Sequence, residues 1–201
     1  MSALPLTLAI DTAAPRLQLA LLLADGRVDI SIDDIATGHA ELLFERIATL
    51  LARNGVSYAD LGRVAVTAGP GSFTGLRIGL SAARGIGLAR SMPVVGVPSL
   101  LALSLTASGP ADVLIDARRD EAYFQSFTGP GVARTGPQLL PMGEARAAIR
   151  PEAELIESPF VDIAALARYG ATADPAAHPP EAAYIRDADA KPQTAARITR
   201  I

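Results

Sequence analysis

Apolar and polar positions change rhythm along this chain, and the changes mark its elements. Leu4 to Ile10 is an apolar run that stops at Asp11. Arg16 to Leu23 (RLQLALLL) begins by alternating, which puts Leu17, Leu19 and Leu21 on one face. Asp25-Gly26 marks a tight turn, and Val28 to Ile32 alternates again. The pattern predicts three strands in an antiparallel meander. The period then lengthens. In GHAELLFERIATLLARNG, residues Leu43, Ile47, Leu50 and Leu51 share a helical face, Phe44 widens it, and Asn54-Gly55 is a stop signal. Val64 to Thr67 reads as a strand, Thr74 to Arg90 as a second helix, and Val94 to Val97 as a further strand. The order βββαβαβα describes an α/β lobe.

The second half opens as the first does. LIDARRDEAYFQSF (114–127) resembles LAIDTAAPRLQLAL (8–21) when Asp116 is placed over Asp11. An apolar strand, an aspartate, a few small or polar residues and an alternating strand recur in that order. Duplication of a βββα lobe follows, with an N-terminal lobe over 1–108 and a reduced C-terminal lobe over 109–201. GPGVARTGP reads as a turn-rich connection, and Met142 to Arg150 and Asp162 to Tyr169 read as helices. Two such lobes, each with an aspartate at its first turn, predict the two-lobed actin-like ATPase fold, a ribonuclease H-like duplication. Ser91 to Ala111 carries no charge and has the length of a membrane span. Its prolines, glycines and hydroxyls favour a buried strand and a short helix capped by Ser99 instead.

Composition narrows the function. Half of the 201 residues are hydrophobic and 19% are charged, which suits a sizeable core. The net charge of −3 gives no general attraction for nucleic acid or an anionic membrane. Cysteine is absent and the histidines are His39 and His178, so thiolate and paired-histidine metal sites are excluded. The N-terminus has no basic segment before its apolar run and does not read as a signal peptide. A cytoplasmic protein is expected.

Candidate chemistry centres on GPGSFTGLRIG, residues 69–79. The loop lacks the lysine of a Walker A motif and the spacing of GxGxxG. Ser72 or Thr74 at the helix start, with Arg77 nearby, still forms a candidate anion site. The helix offers a second reading. Gly75, Gly79, Ala83 and Gly87 form an i, i+4 ridge on which another helix can pack closely. The glycines Gly79, Gly85 and Gly87 together forgo roughly 2–3 kcal/mol of helix propensity, which close packing must offset. The neighbour is either the chain's own helix 38–53 or a helix of another protein. Asp11 ends a strand where an α/β lobe often places a catalytic carboxylate. A phosphate turn there needs a nearby glycine. The chain instead has Asp11-Thr12-Ala13-Ala14-Pro15 and Asp116-Ala117-Arg118-Arg119, so both turns look blunted. Asp11, Thr12, Ser72, Asp116 and Arg118 form a candidate nucleotide cleft. A small-molecule kinase using Asp11 and Asp116 is the competing enzymatic reading.

These residues carry a family resemblance. GHAELLFERIATLL, VAVTAGPGSFTGLRIGLSAARGIGLA, VVGVPSLLAL and IDARRDEAYFQ resemble the TsaB (YeaZ) family of tRNA threonylcarbamoyladenosine synthesis, strongest over 39–126. PEAAYIRDADAK, with Tyr184, Arg186, Asp189 and Lys191, is similar to the family's closing pattern. The resemblance implies an actin-like fold related to TsaD, the subunit that transfers threonylcarbamoyl to adenosine 37 of tRNAs reading ANN codons. It implies a scaffold without catalytic residues or metal of its own. TsaD and TsaE are the implied partners, with a homodimer when the chain is alone, tRNA reached only through the complex, and no membrane. ATP or ADP is implied only at the TsaD interface. The expected contact set is His39, Leu43, Ile47, Leu50, Gly75, Arg77, Gly79, Leu80, Ala83 and Gly87.

Overall fold

The computed structural model describes residues 4–185. Thr7–Asp11 (β1), Leu17–Leu22 (β2) and Val28–Asp33 (β3) form the predicted meander. His39–Arg53 (α1), Arg63–Gly69 (β4), Phe73–Arg90 (α2), Val94–Pro98 (β5) and Ser99–Ser104 (α3) follow. The first sheet runs β3-β2-β1-β4-β5. Antiparallel pairing joins β1 to β2, while β4 is parallel to both β1 and β5.

Both faces of this sheet are covered. Leu8, Ile10, Leu19 and Val66 pack beneath α1 and α2 with Leu43, Ile47 and Ala83. Their neighbours along the strands, Ala9, Ala20, Leu22 and Ala65, enter a second apolar cluster on the opposite face. The alternation read from Leu17, Leu19 and Leu21 is therefore real, but the intervening positions are buried as well.

The second sheet repeats the plan. Ala111–Arg118 (β6), Glu121–Gly129 (β7), Val132–Ala133 (β8), Gln138–Pro141 (β9), Met142–Ala147 (α4) and Glu154–Ile156 (β10) build it. The strand β7 pairs antiparallel with β6 and β9, and β10 is parallel to β6. Thus β6-β7-β9-α4-β10 has the connectivity of β1-β2-β3-α1-β4. The fold is the two-lobed actin-like duplication with a small C-terminal lobe. The short β8 lies inside GPGVARTGP, which the sequence marks only as turns.

After β10 the chain returns to the first lobe. Ile163–Thr172 (α5), capped by Asp162, packs across β1, β2 and β4. Gly170 lies so close to Ala65 that a Cβ would collide with the alanine methyl. Arg63 Nη1 closes the C-terminal end of α5 by donating to Gly170 O (2.9 Å) and Ala173 O (2.7 Å). The α5 cluster also contains Val113 and Phe127 of the second sheet, so one continuous core joins the two sheets. Ser91 to Ala111 folds as β5, α3 and the start of β6, and no helix among the described residues is long and apolar enough to cross a membrane. Pro98 occupies the cap position of α3. Ser99 is its first helical residue, and its hydroxyl makes no cap bond.

Candidate functional site

The glycine loop closes over the turn that follows β1. Ser72 N–H donates to Ala13 O at 2.7 Å, and Thr12 Oγ1 donates to Gly75 O at 2.7 Å. A Cβ on Gly71 would sit 2.7 Å from Ala13 O, and one on Gly75 would strike Thr12 O. Gly69 holds φ 103°, the left-handed region that favours glycine. These glycines let two backbone segments touch. Of the two candidate caps, Ser72 is the one used, its Oγ accepting Gly75 N–H at 3.3 Å.

The small-residue ridge of α2 faces the chain's own sheet, not another helix. A Cβ on Gly79 would lie 2.5 Å from Thr12 Oγ1, with Val66 and Ile10 just beyond. Gly87 abuts Val94, and Ala83 is fully buried. This corrects the expected contact set. Leu43, Ile47, Leu50 and Leu80 are core residues, and Gly75, Gly79, Ala83 and Gly87 are sealed against β1, β4 and β5. His39 is buried at the start of α1 with no hydrogen-bond partner for Nε2, while left-handed Gly38 takes the cap position. Within that set, Arg77 remains exposed.

A different set of residues forms the outer surface of α1 and α2. Phe44, assigned by periodicity to the core face, is 54% exposed. Phe73 is 55% exposed and Leu88 85% exposed. Between them on α2 lie exposed Ser81 and Gly85, and a Cβ on Gly85 would meet nothing within 4 Å. Nothing among the described residues therefore requires glycine at position 85. Between the helices is a cavity of about 560 Å³ with Ala40, Leu43, Phe44, Arg77, Ile78 and Ser81 among its lining residues. Its surface is apolar apart from a few polar groups, as a protein-docking groove would be.

A second cavity, of about 540 Å³, lies between the lobes. Asp11, Ser72, Asp116 and Arg118 all line it, so the structure brings these candidates together. Thr12 is left out, its hydroxyl spent on Gly75. Both opening turns keep the same local bond. Asp11 Oδ1 accepts Ala13 N–H at 3.0 Å, and Asp116 Oδ1 accepts Arg118 N–H at 2.7 Å. The turns then diverge. Asp116 is exposed, while Asp11 is buried and also accepts from Thr67 Oγ1 (2.6 Å) and Gln18 Nε2 (3.2 Å). Burial pushes the Asp11 carboxyl above its ordinary 3.8, against the lowering pull of those donors and of His39. Both Asp11 oxygens are engaged by the chain's own donors.

Three features escaped sequence reasoning. Ser99 presents a buried hydroxyl without a hydrogen-bond partner at the interlobe cavity. Phe73 and Thr74 line both cavities, so the start of α2 is the wall between them. Tyr184, known from the sequence only as part of a closing pattern, stacks near Phe73 with ring centroids 5.9 Å apart. The surplus glycine at 85 was the one available signal for the outer face. The other closing-pattern residues, Arg186, Asp189 and Lys191, lie outside the described residues.

The family model described as TsaD, tRNA N6-adenosine threonylcarbamoyltransferase, matches residues 33–158, more than half of the chain. An uncharacterized protein of Mycobacterium tuberculosis is 38% identical over 136 residues, covering 66% of this chain and 63% of that protein. The Escherichia coli protein named tRNA threonylcarbamoyladenosine biosynthesis protein TsaB is 35% identical over 125 residues, 60% of this chain and 54% of its own length. The matched stretch thus spans less than two thirds of either relative. Among solved structures, YeaZ from Pseudomonas aeruginosa superposes with a TM-score of 0.70 at 27% identity, covering 80% of this chain and 89% of that one. On this sequence match and this shared fold, the chain belongs to the TsaD-like family, on its TsaB/YeaZ branch.

Proposed function

We propose that this chain is a non-catalytic docking subunit in the synthesis of N6-threonylcarbamoyladenosine on tRNA, and that it binds a TsaD-type transferase through the outer face of α1 and α2. The observation that carries this reading is the exposed apolar surface of Phe44, Phe73 and Leu88 around the unexplained Gly85. A helix can approach closely where a glycine projects no side chain. The scaffold role is supported by the opening aspartates. A phosphate-transfer site needs a carboxylate free to hold a metal or take a proton, and Asp11 spends both oxygens on Thr67, Ala13 and Gln18. The competing kinase reading would have to rest on Asp116, the exposed carboxylate of the pair, with Asp11 buried and already bonded. TsaE as a further partner, self-pairing through the same face, and ATP or ADP shared with the transferase belong to the same proposal. Reconstituting the modification reaction with and without this chain tests it. Threonylcarbamoyladenosine should form only when the chain is present. Undiminished formation in its absence, or ATP turnover by the isolated chain that Asp11→Asn abolishes, would overturn it.

A further inference from the structure

The helix α2 holds three arginines, Arg77, Arg84 and Arg90, and no carboxylate. Arg77 is exposed and meets no carboxylate among the described residues. Its guanidinium carbon lies 3.7 Å from the centre of the Phe73 ring, a cation–π contact. Phe73 is in turn flanked by Tyr184, tilted 37° to it. The segment carrying Tyr184 is tied down at two points. Gly96 N–H donates to His178 O at 2.9 Å, and Ala183 N–H donates to Ala68 O at 2.7 Å. Gly69 and Gly96 leave room for this segment, since side chains there would press on Ala183 and Pro179. A chain of contacts therefore runs from the closing segment through Tyr184 and Phe73 to Arg77.

We propose that Arg77, backed by Phe73 and Tyr184, reads a carboxylate on the helical partner that docks on the α1/α2 face, and that Tyr184 is its positioning residue. This inference rests on the docking reading above. A guanidinium lying on an aromatic face keeps its N–H edge free for a bidentate bond to a carboxylate. Held in advance, it loses less freedom on forming that bond. Among the described residues no carboxylate lines the groove beside it, whose apolar surface instead includes Ala40, Phe44 and Ile78. The partner that fits is a helix offering small apolar side chains with one Asp or Glu placed opposite Arg77. The closing segment thereby takes part in partner choice from outside the helix pair.

Calorimetric titration of the full chain with its cognate threonylcarbamoyltransferase, at low and at moderate salt, tests this. Arg77→Gln should weaken binding about tenfold or more and flatten its salt dependence. Tyr184→Ala should produce a smaller loss of the same kind, while Tyr184→Phe, which keeps the ring, should behave as wild type. Arg77→Glu should recover affinity when the facing carboxylate of the partner is changed to arginine. If Gly85→Leu abolishes binding but Arg77→Gln leaves affinity and salt dependence unchanged, the inference fails and the docking reading stands. If neither substitution affects binding, the docking reading falls and the inference falls with it. Weakened self-association of the Arg77→Gln chain, with transferase affinity intact, would also overturn the inference.

Discussion

The two sides of α2 are built from the same small residues for opposite reasons. On the inner side, Gly75, Gly79 and Gly87 are glycines because Thr12 and Val94 occupy the space where a side chain would go. On the outer side, Gly85 faces open space. An identical residue thus reports internal packing at one position and leaves room for something external at another. Spacing along the helix does not distinguish them. Only the position of the sheet does.

Substitutions can break that comparison or sharpen it. The largest effect is expected on the inner side. Gly79→Leu must displace Thr12, Val66 or Ile10, and overpacking of a filled core costs roughly 1–3 kcal/mol or more. Urea denaturation should show a large loss of stability, and a wild-type midpoint would mean the ridge is not sealed. At the same outer position, Gly85→Leu should gain about 0.5–1 kcal/mol from helix propensity while binding to the transferase is lost.

A buried pair in the second lobe gives a loss of similar size. Asp112 is fully buried, and Arg150 donates to its two oxygens from the main chain and the guanidinium. Burial pushes the carboxyl up, but Arg150 and Ser126 outweigh it and hold Asp112 below its ordinary 3.8. Arg150→Met leaves that charge unpaired and should cost about 1–3 kcal/mol in the same denaturation assay, without a separate effect on docking. If the variant matches the wild-type midpoint, the pair contributes nothing net. Because the folded value is depressed, the pair's stabilisation is present above the unfolded pKa and is lost as pH falls through the folded one.

The smallest effect concerns Asp11, whose sign is opposite. Its folded pKa is raised, so the folded state binds the proton more tightly than the unfolded state does. Its contribution is full below the ordinary 3.8 and is lost as pH rises through the folded value. Asp11→Asn should flatten that part of the stability profile. A profile with an unchanged slope would show that Asp11 carries no such linkage.

Much of the fold was legible because it rests on periodicity. The β1 to β3 meander, the α1 face of Leu43, Ile47 and Leu50, and the repeat of Asp11 at Asp116 all follow from local pattern. The closing arrangement was not legible. Whether α5 covers its own lobe or returns to the first sheet depends on Gly170 meeting Ala65, a contact that no local period encodes. The outer surface of α1 and α2 was half legible. The helices themselves follow from periodicity, but which residues face outward does not, since periodicity groups Phe44 with Leu43 and Ile47 although it is 54% exposed. Tyr184 reaches Phe73 only through long-range backbone bonds to Gly96 and Ala68.

The central claim is that the outer side of α2 exists for another protein. The most direct test measures two properties of Gly85→Leu together, its unfolding midpoint and its calorimetric affinity for the cognate transferase. The account predicts a midpoint at or above wild type with binding lost. Full affinity in a stably folded variant would contradict it.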